Sequence, residues 1–224
     1  MAAEDPLTDA TQFAPKPTRP VRAPTRLAGA LLAAALLLTA AGAMWLTLNR
    51  RPPPPVLGQL PAWSLTSHTD AHIGSETLRG KVWVASFFFT SCTTICPKIL
   101  GAMARLQGRL GAAELDVVLV SITVDPDNDT PAALARFAPK YGVIAGRWHL
   151  LSGERAAIQE LVVGGFKTYM GERVQMSDDV IDISHGARLV LVDGRAQVRG
   201  HYETSAAGLD ALFADAEAVV NAAD

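Results

Sequence analysis

Two cysteines four residues apart, Cys92 and Cys96, have the clearest chemical potential in this chain, and they are its only cysteines. They follow an apolar, aromatic run over 82–89 that predicts a buried strand. They precede apolar residues spaced three and four apart from Ile99, which predict a helix. Pro97 suits the first turn of that helix, where its missing N–H costs nothing. Thiols at a helix N-terminus are favoured as thiolates, so the pair indicates either redox or metal chemistry.

A histidine late in the chain, His185, could add a third ligand. It lies just before an apolar, β-branched segment over 187–192 that predicts a strand. In a thioredoxin-like sheet the loop before that strand lies beside the turn with the cysteines, and thioredoxins place a cis-proline there. This chain has no proline after Pro139, so a histidine near that position suits a metal ligand. Two thiolates and an imidazole can hold Cu(I) or Cu(II), and with a water they could also hold zinc.

The N-terminal part of the sequence carries the targeting information. Residues 27–48 hold no charge, and as a helix they would span about 33 Å, enough to cross a bilayer core of roughly 30 Å. Four basic residues precede this segment and two follow it directly. This bias favours a cytoplasmic N-terminus and an exported, periplasmic C-terminal domain on a single-pass inner-membrane protein. A cleaved signal peptide is the alternative, although the apolar run is longer than signal peptides usually have.

Composition divides the chain into a disordered cytoplasmic tail over 1–26, a transmembrane anchor over 27–48, a proline-rich linker over 49–57 and a globular domain over 58–224. In the domain we predict an N-terminal hairpin around 63–73, alternating strands and helices, an irregular loop over 164–180, and a closing hairpin and helix. This order predicts a mixed α/β sheet with helices on both faces. The net charge of −2 shows no basic excess, so nucleic-acid binding is not indicated.

The motifs, in their order, resemble the Sco/SenC family of copper-assembly proteins over roughly residues 58–222. The matching stretches are Gly80–Trp83, Cys92–Pro97, Thr123–Pro131, Trp148–Gly153 and a histidine 89 residues after Cys96. The resemblance implies a thioredoxin-like fold that binds one copper ion, Cu(I) or Cu(II), through Cys92, Cys96 and His185. One departure is Ser184, because the residue before the histidine is often acidic in the family.

The resemblance further implies a metallochaperone rather than an enzyme, one that helps to assemble the copper site of cytochrome c oxidase. Its expected partners are subunit II of the oxidase, a copper donor and a thiol reductant. The reductant is needed because a disulfide between Cys92 and Cys96 would abolish metal binding. Asp125, at the end of a predicted strand near the cysteines, is a candidate for orienting the site or docking a partner. The alternatives are an exported thiol-disulfide oxidoreductase, which would not need His185, and a plain structural disulfide.

Other residues with ligand chemistry receive structural interpretations. We expect His68 and His72 to face solvent on either side of a turn. We expect Met170 and Met176 to fill gaps in the irregular loop or to line its surface. The three aspartates within 125–129 imitate the start of a calcium loop, but the glycine and glutamate that such a loop requires are absent. We interpret these aspartates as a turn and a helix cap. In Asp129-Thr130-Pro131, a capping side chain followed by a proline predicts the start of a helix.

Overall fold

Two adjacent parallel strands, β4 (Val82–Phe88) and β5 (Val117–Thr123), form the centre of the fold. Every residue of both strands is buried, which requires that both faces of the sheet are covered. The computed structural model describes residues 25–48, 51–177 and 180–223. Most of the segment predicted as a disordered tail, residues 1–24, lies outside these described residues.

The other strands of the main sheet are β1 (Gly58–Gln59), β2 (Ser64–Ser67), β3 (His72–Gly74), β6 (Trp148–Ser152), β9 (Leu189–Val192) and β10 (Gln197–Tyr202). The sheet has eight strands in the order β1-β10-β9-β4-β5-β6-β2-β3. β6 is parallel to β5, whereas β9 is antiparallel to β4 and β10 is antiparallel to β9. The predicted mixed α/β sheet is confirmed.

The helices are α1 (Thr25–Leu48), α2 (Cys96–Ala112), α3 (Pro131–Phe137), α4 (Arg155–Gln159) and α5 (Ala206–Ala223), with a 3₁₀ turn at Ala138–Tyr141 and a π-helical segment at Glu160–Gly165. α2 buries the predicted apolar stripe that begins at Ile99. α3 begins as its sequence predicts: the Thr130 side chain accepts a hydrogen bond from Ala133 N at 3.2 Å, and a proline follows the cap.

The apolar segment predicted as an anchor over 27–48 forms α1. Across the described ranges, no helix is both long and apolar enough to cross a membrane. The membrane anchor therefore stays a prediction.

The N-terminal hairpin is confirmed, but its histidines differ from each other. β2 and β3 pair with Leu65 opposite Ile73, and His72 is exposed as expected. His68 was expected to face solvent, and this prediction is wrong. The residue is half-buried because it extends the pairing with β6: its N–H donates to Leu150 O at 2.8 Å, and its Nδ1 accepts from Leu150 N at 3.2 Å. Burial lowers the pKa of His68.

The segment predicted as an irregular loop over 164–180 is instead largely regular. It completes the π-helical segment and then forms β7 (Met170–Ser177), which pairs antiparallel with β8 (Val180–His185) in a separate two-stranded sheet. The loop prediction is wrong because the sequence of β7 shows no regular alternation of apolar and polar residues; Val174 is half exposed. Its order comes from pairing with β8, which a hydrophobic pattern does not report.

A buried hydrogen-bond chain ties the three central strands together. Ser86 on β4 and Ser121 on β5 share a hydrogen bond of 2.7 Å, and Trp148 Nε1 on β6 donates to Ser121 Oγ at 2.9 Å. All three residues are buried. Of these three residues, only Ser121 is hydrogen-bonded to both others. Removing its hydroxyl therefore takes this partner from both Ser86 and Trp148.

We predict that Ser121→Ala lowers the free energy of unfolding by about 1–3 kcal/mol, because the buried Trp148 N–H loses its acceptor. Ser86→Ala should cost less, since Ser121 can still accept from Trp148. Ser64→Ala, at an exposed strand position, is the matched control and should have little effect. Urea denaturation of the three variants measures this order, and equal losses for Ser121→Ala and Ser86→Ala would contradict it.

Candidate metal and redox site

The two cysteines lie on the turn between β4 and α2, as predicted. Cys92 is in the turn, where its N–H donates to Phe89 O at 3.2 Å, and Cys96 is the first residue of α2. Cys96 N donates to Cys92 Sγ at 3.4 Å, so an N–H from the first turn of the helix, which has no intrahelical acceptor, is directed at the first sulfur. No disulfide joins Cys92 and Cys96, and only 8% and 1% of their surfaces are exposed. The geometry brings the sulfur-bearing residues together without a disulfide.

The pKa of Cys96 is higher than the helix dipole alone would make it. The hydrogen bond with the Cys92 thiol and the burial of the side chain raise the pKa of Cys96, while a backbone hydrogen bond from Phe89 acts the other way. The raised pKa of Cys96 therefore opposes the effect of the helix N-terminus, which favours a thiolate. An incoming metal would have to displace a firmly held proton.

Three aromatic side chains, Phe88, Phe137 and Tyr141, lie beside the cysteines and are called the aromatic wall. Phe88 stacks on Phe137 with ring centroids 5.9 Å apart, and Phe137 contacts Tyr141 at 5.4 Å. Burial and the two cysteine sulfurs raise the pKa of Tyr141. The sequence analysis did not identify Tyr141, because nothing in its spacing separates it from an ordinary aromatic residue of the core.

A buried carboxylate, Asp129, fastens the cysteine turn to the end of β5. Its oxygens accept hydrogen bonds from Thr90 N at 3.0 Å, from the Thr90 hydroxyl, and from the Thr123 hydroxyl at 2.5 Å. Thr90 is two residues before Cys92. The sequence analysis interpreted Asp129 as part of a turn and helix cap, but the helix is capped by Thr130. Only its place in the aspartate cluster could have pointed to Asp129.

Asp125, the predicted candidate for orienting the site or docking, is also buried. Both of its carboxylate oxygens accept from Asn128 Nδ2, at 2.9 and 3.0 Å, and Arg155 lies 3.8 Å away. These contacts hold the turn after β5 to the start of α4. The role of Asp125 toward the metal stays a prediction.

His185 is the last residue of β8, where its backbone pairs with Met170. Four residues later the chain enters β9, which runs antiparallel to β4 with Val190 opposite Ala85. Extending this register toward residues before Leu189 leads to the end of β4, and the cysteine turn follows that end. The backbone therefore brings His185 to the same edge of the sheet as Cys92 and Cys96. Its side chain lies outside the described part of the structure, as does that of Met176, whereas Met170 packs against the core.

No group of three or more metal-ligating side chains occurs among the described side chains. The His185 imidazole lies outside these described side chains, which include only the two thiols of the predicted ligand set. A soft dithiol at a strand-to-helix turn suits Cu(I) or disulfide exchange. The three-ligand site stays a prediction.

The fold and the site define a thioredoxin-like domain with a dithiol at the N-terminus of α2, the first helix of that domain. The chain belongs to the SCO1/SenC family, whose sequence profile matches residues 57–221. The SCO1 homologue of Bacillus subtilis is 36% identical over 132 residues, which is 58% of this chain and 66% of that protein, slightly under two thirds of its length. A candidate copper-binding protein of Stutzerimonas stutzeri is 32% identical over 145 residues, 63% of this chain and 68% of that protein.

Solved structures give the same result. BsSco, described as a member of the Sco family of cytochrome c oxidase assembly proteins with a disulfide switch, matches with a TM-score of 0.66 and 28% identity over 76% of this chain and 98% of that one. ScoI of Bradyrhizobium japonicum, solved with copper bound, matches with a TM-score of 0.62 and 22% identity over 72% of this chain and 99% of that one. At 22% identity, the similarity to ScoI shows that the two chains share a fold and nothing more.

We predict that Asp129 gives the stability of the domain a distinctive pH dependence. Burial raises the pKa of Asp129 above its ordinary value of 3.8, against the opposing hydrogen bonds from Thr123 and Thr90. The folded state thus binds this proton more tightly than the unfolded state. The stability contributed by the proton is complete below the unfolded pKa and is lost as pH rises through the folded pKa.

The measurement is the free energy of unfolding from urea titrations at a series of pH values, for the wild-type chain and Asp129→Asn. The free energy of unfolding of the wild type, relative to that of Asp129→Asn, should increase as pH falls from the folded-state pKa of Asp129 to 3.8. Asp116→Asn, at an exposed carboxylate, is the matched control for loss of one charge. A difference between wild type and Asp129→Asn that stays constant with pH would contradict the prediction.

Proposed function

We propose that this chain is a membrane-anchored copper chaperone that helps to assemble the copper site of cytochrome c oxidase. The observation that carries the proposal is the pair of buried thiols on one strand-to-helix turn, and the pairing of β9 with β4 supports a nearby position for His185. Two relatives support it: one is described as a candidate copper-binding protein, and the other belongs to a family of oxidase assembly proteins. The expected target is subunit II of the oxidase.

The proposed ligands are Cys92, Cys96 and His185. Two thiolates suit Cu(I), and the added imidazole lets the same site accept Cu(II). Loading releases the thiol protons, including the firmly held proton of Cys96, so copper uptake weakens as pH falls. Oxidation of the two thiols to a disulfide would prevent loading, which is why a thiol reductant belongs among the proposed partners.

The proposed location is the inner membrane, with α1 as a single anchor and the domain on the periplasmic side. α1 carries large apolar side chains that are at least 60% exposed: Leu31, Leu32, Leu36, Leu37, Leu38, Met44 and Trp45. Such a surface suits lipid better than water. The four basic residues before the uncharged segment over 27–48 support the orientation.

The test is metal analysis and absorption spectroscopy of the reduced full-length chain, in neutral detergent, after copper addition and removal of excess metal. We expect one copper per chain and an intense thiolate-to-Cu(II) charge-transfer band. Cys92→Ser, Cys96→Ser and His185→Ala should each abolish stoichiometric binding, because each removes one of three ligands. His72→Ala, at an exposed histidine, is the matched control and should bind as the wild type does. An unchanged stoichiometry in His185→Ala would refute the three-ligand site.

A second candidate function is thiol-disulfide exchange that keeps the target's cysteines reduced. The contact that favours it is the 3.4 Å approach of Cys96 N to Cys92 Sγ, since an N–H donor at a helix N-terminus stabilises a reactive sulfur. This function needs both cysteines but not His185. Complementation of a deletion strain separates the two functions: rescue of oxidase activity by His185→Ala favours exchange, and failure of that variant with normal protein levels favours copper delivery.

A further inference from the structure

A basic groove lies beside the cysteine turn. It is bounded by α2, by the 186–188 segment after β8, and by the 203–205 segment before α5, and it encloses about 560 Å³. Its polar lining residues are Lys98, Arg105, Arg188, Glu203, Thr204 and Ser205. The proposed copper chemistry uses none of them.

Three cations enter this basic groove from two sides. Lys98 and Arg105 are seven residues apart on α2, so they share one face of the helix; Arg188 comes from the opposite wall. All three are exposed, and none takes part in an ion pair among the residues that the structure describes. Among the described lining residues, Glu203 is the one carboxylate. The groove thus concentrates positive charge in a chain whose net charge is −2.

The backbone adds to this positive potential. α5 begins at the groove, where Ser205 Oγ accepts from Gly208 N at 3.2 Å, and neither α5 nor α2 has an acidic residue in its first turn. Each helix N-terminus carries a partial positive charge of about half a unit. Arg105 Nη2 also lies 3.5 Å from Thr204 O, which links α2 to the far wall. The cations are therefore presented on ordered elements.

The basic groove adjoins the proposed copper ligands along the chain on both sides. Lys98 follows Cys96 by two residues, and the 186–188 segment directly follows His185. A molecule held in the groove would therefore lie next to the sheet edge where the cysteine turn begins α2. Proximity of this kind is what a transfer between two proteins requires.

We propose that the basic groove docks an acidic segment of the protein with which this chain exchanges copper. The inference rests on the proposed function, and it names the chemistry of the partner's contact surface. Arginines bind carboxylates with paired, charge-assisted hydrogen bonds. Three converging cations would also steer an acidic partner and raise its association rate at low salt. A concave volume of this size fits a short peptide segment.

The first experiment measures binding of a fluorescein-labelled peptide of eight glutamates to the full-length chain in neutral detergent, by fluorescence anisotropy. The test variant is K98E/R105E/R188E. The control R136E/R147E/R195E changes the net charge equally at exposed arginines outside the groove. At low ionic strength the groove variant should lose about tenfold or more in affinity while the control changes little, and the difference should shrink at high salt. Equal losses in both variants would overturn the proposal.

A competitor identifies the class of ligand. Dihexanoyl phosphatidylglycerol, added as monomers below its micelle concentration, presents an anionic lipid headgroup. If it binds the wild type through the three cations while the peptide does not bind, the groove recognises lipid and the proposal is overturned. If the peptide binds more tightly than the lipid, the proposal is supported.

The second experiment links the groove to transfer. Copper-loaded wild type and K98E/R105E/R188E are mixed with the copper-free soluble domain of oxidase subunit II, and transfer is followed by absorption. We expect a second-order rate about tenfold lower for the variant at low salt, with unchanged copper stoichiometry. A variant that binds copper normally and transfers it at the wild-type rate would overturn the docking role. A wild type that binds no copper would instead refute the proposed function, and the peptide experiment would still decide the groove.

Discussion

The buried parallel pairing of β4 and β5 is the constraint on which the rest of the site depends. Both strands are fully buried and end at the same edge of the sheet. Thr90 follows the first strand and Thr123 ends the second, and the carboxylate of Asp129 accepts hydrogen bonds from both. The cysteine turn is thereby held at two points before α2 begins. A turn fixed in this way keeps two thiols close without a covalent link between them.

Burial at this edge has an electrostatic consequence. The hydrogen bond with Cys92 and burial raise the pKa of Cys96, and burial raises the pKa of Asp129. A protonated thiol is a poor nucleophile and a poor ligand. At Cys92 Sγ, the hydrogen bond from Cys96 N at the helix N-terminus favours a reactive sulfur.

Outside the cysteine turn the structure separates two kinds of surface. The aromatic wall that ends at Tyr141 closes one side of the site with apolar contacts. On another side, the basic groove is lined by exposed cations and open to solvent. Under the proposed function both features serve transfer, because burial protects the thiols while a charged rim admits a partner and sets its orientation.

The sequence by itself determined the parts of this protein that depend on local pattern. Four local patterns each predicted an element that is confirmed. They are the buried run over 82–89, the apolar period from Ile99, the Thr130 cap and the Cys92–Cys96 spacing. Tertiary structure alone decided the contacts between segments distant in the chain. Asp129 reaches Thr90, His68 joins the edge of β6, and β7 gains its order from β8. Hydrogen bonds between distant segments leave no periodic trace in a sequence, because either partner alone is compatible with many folds.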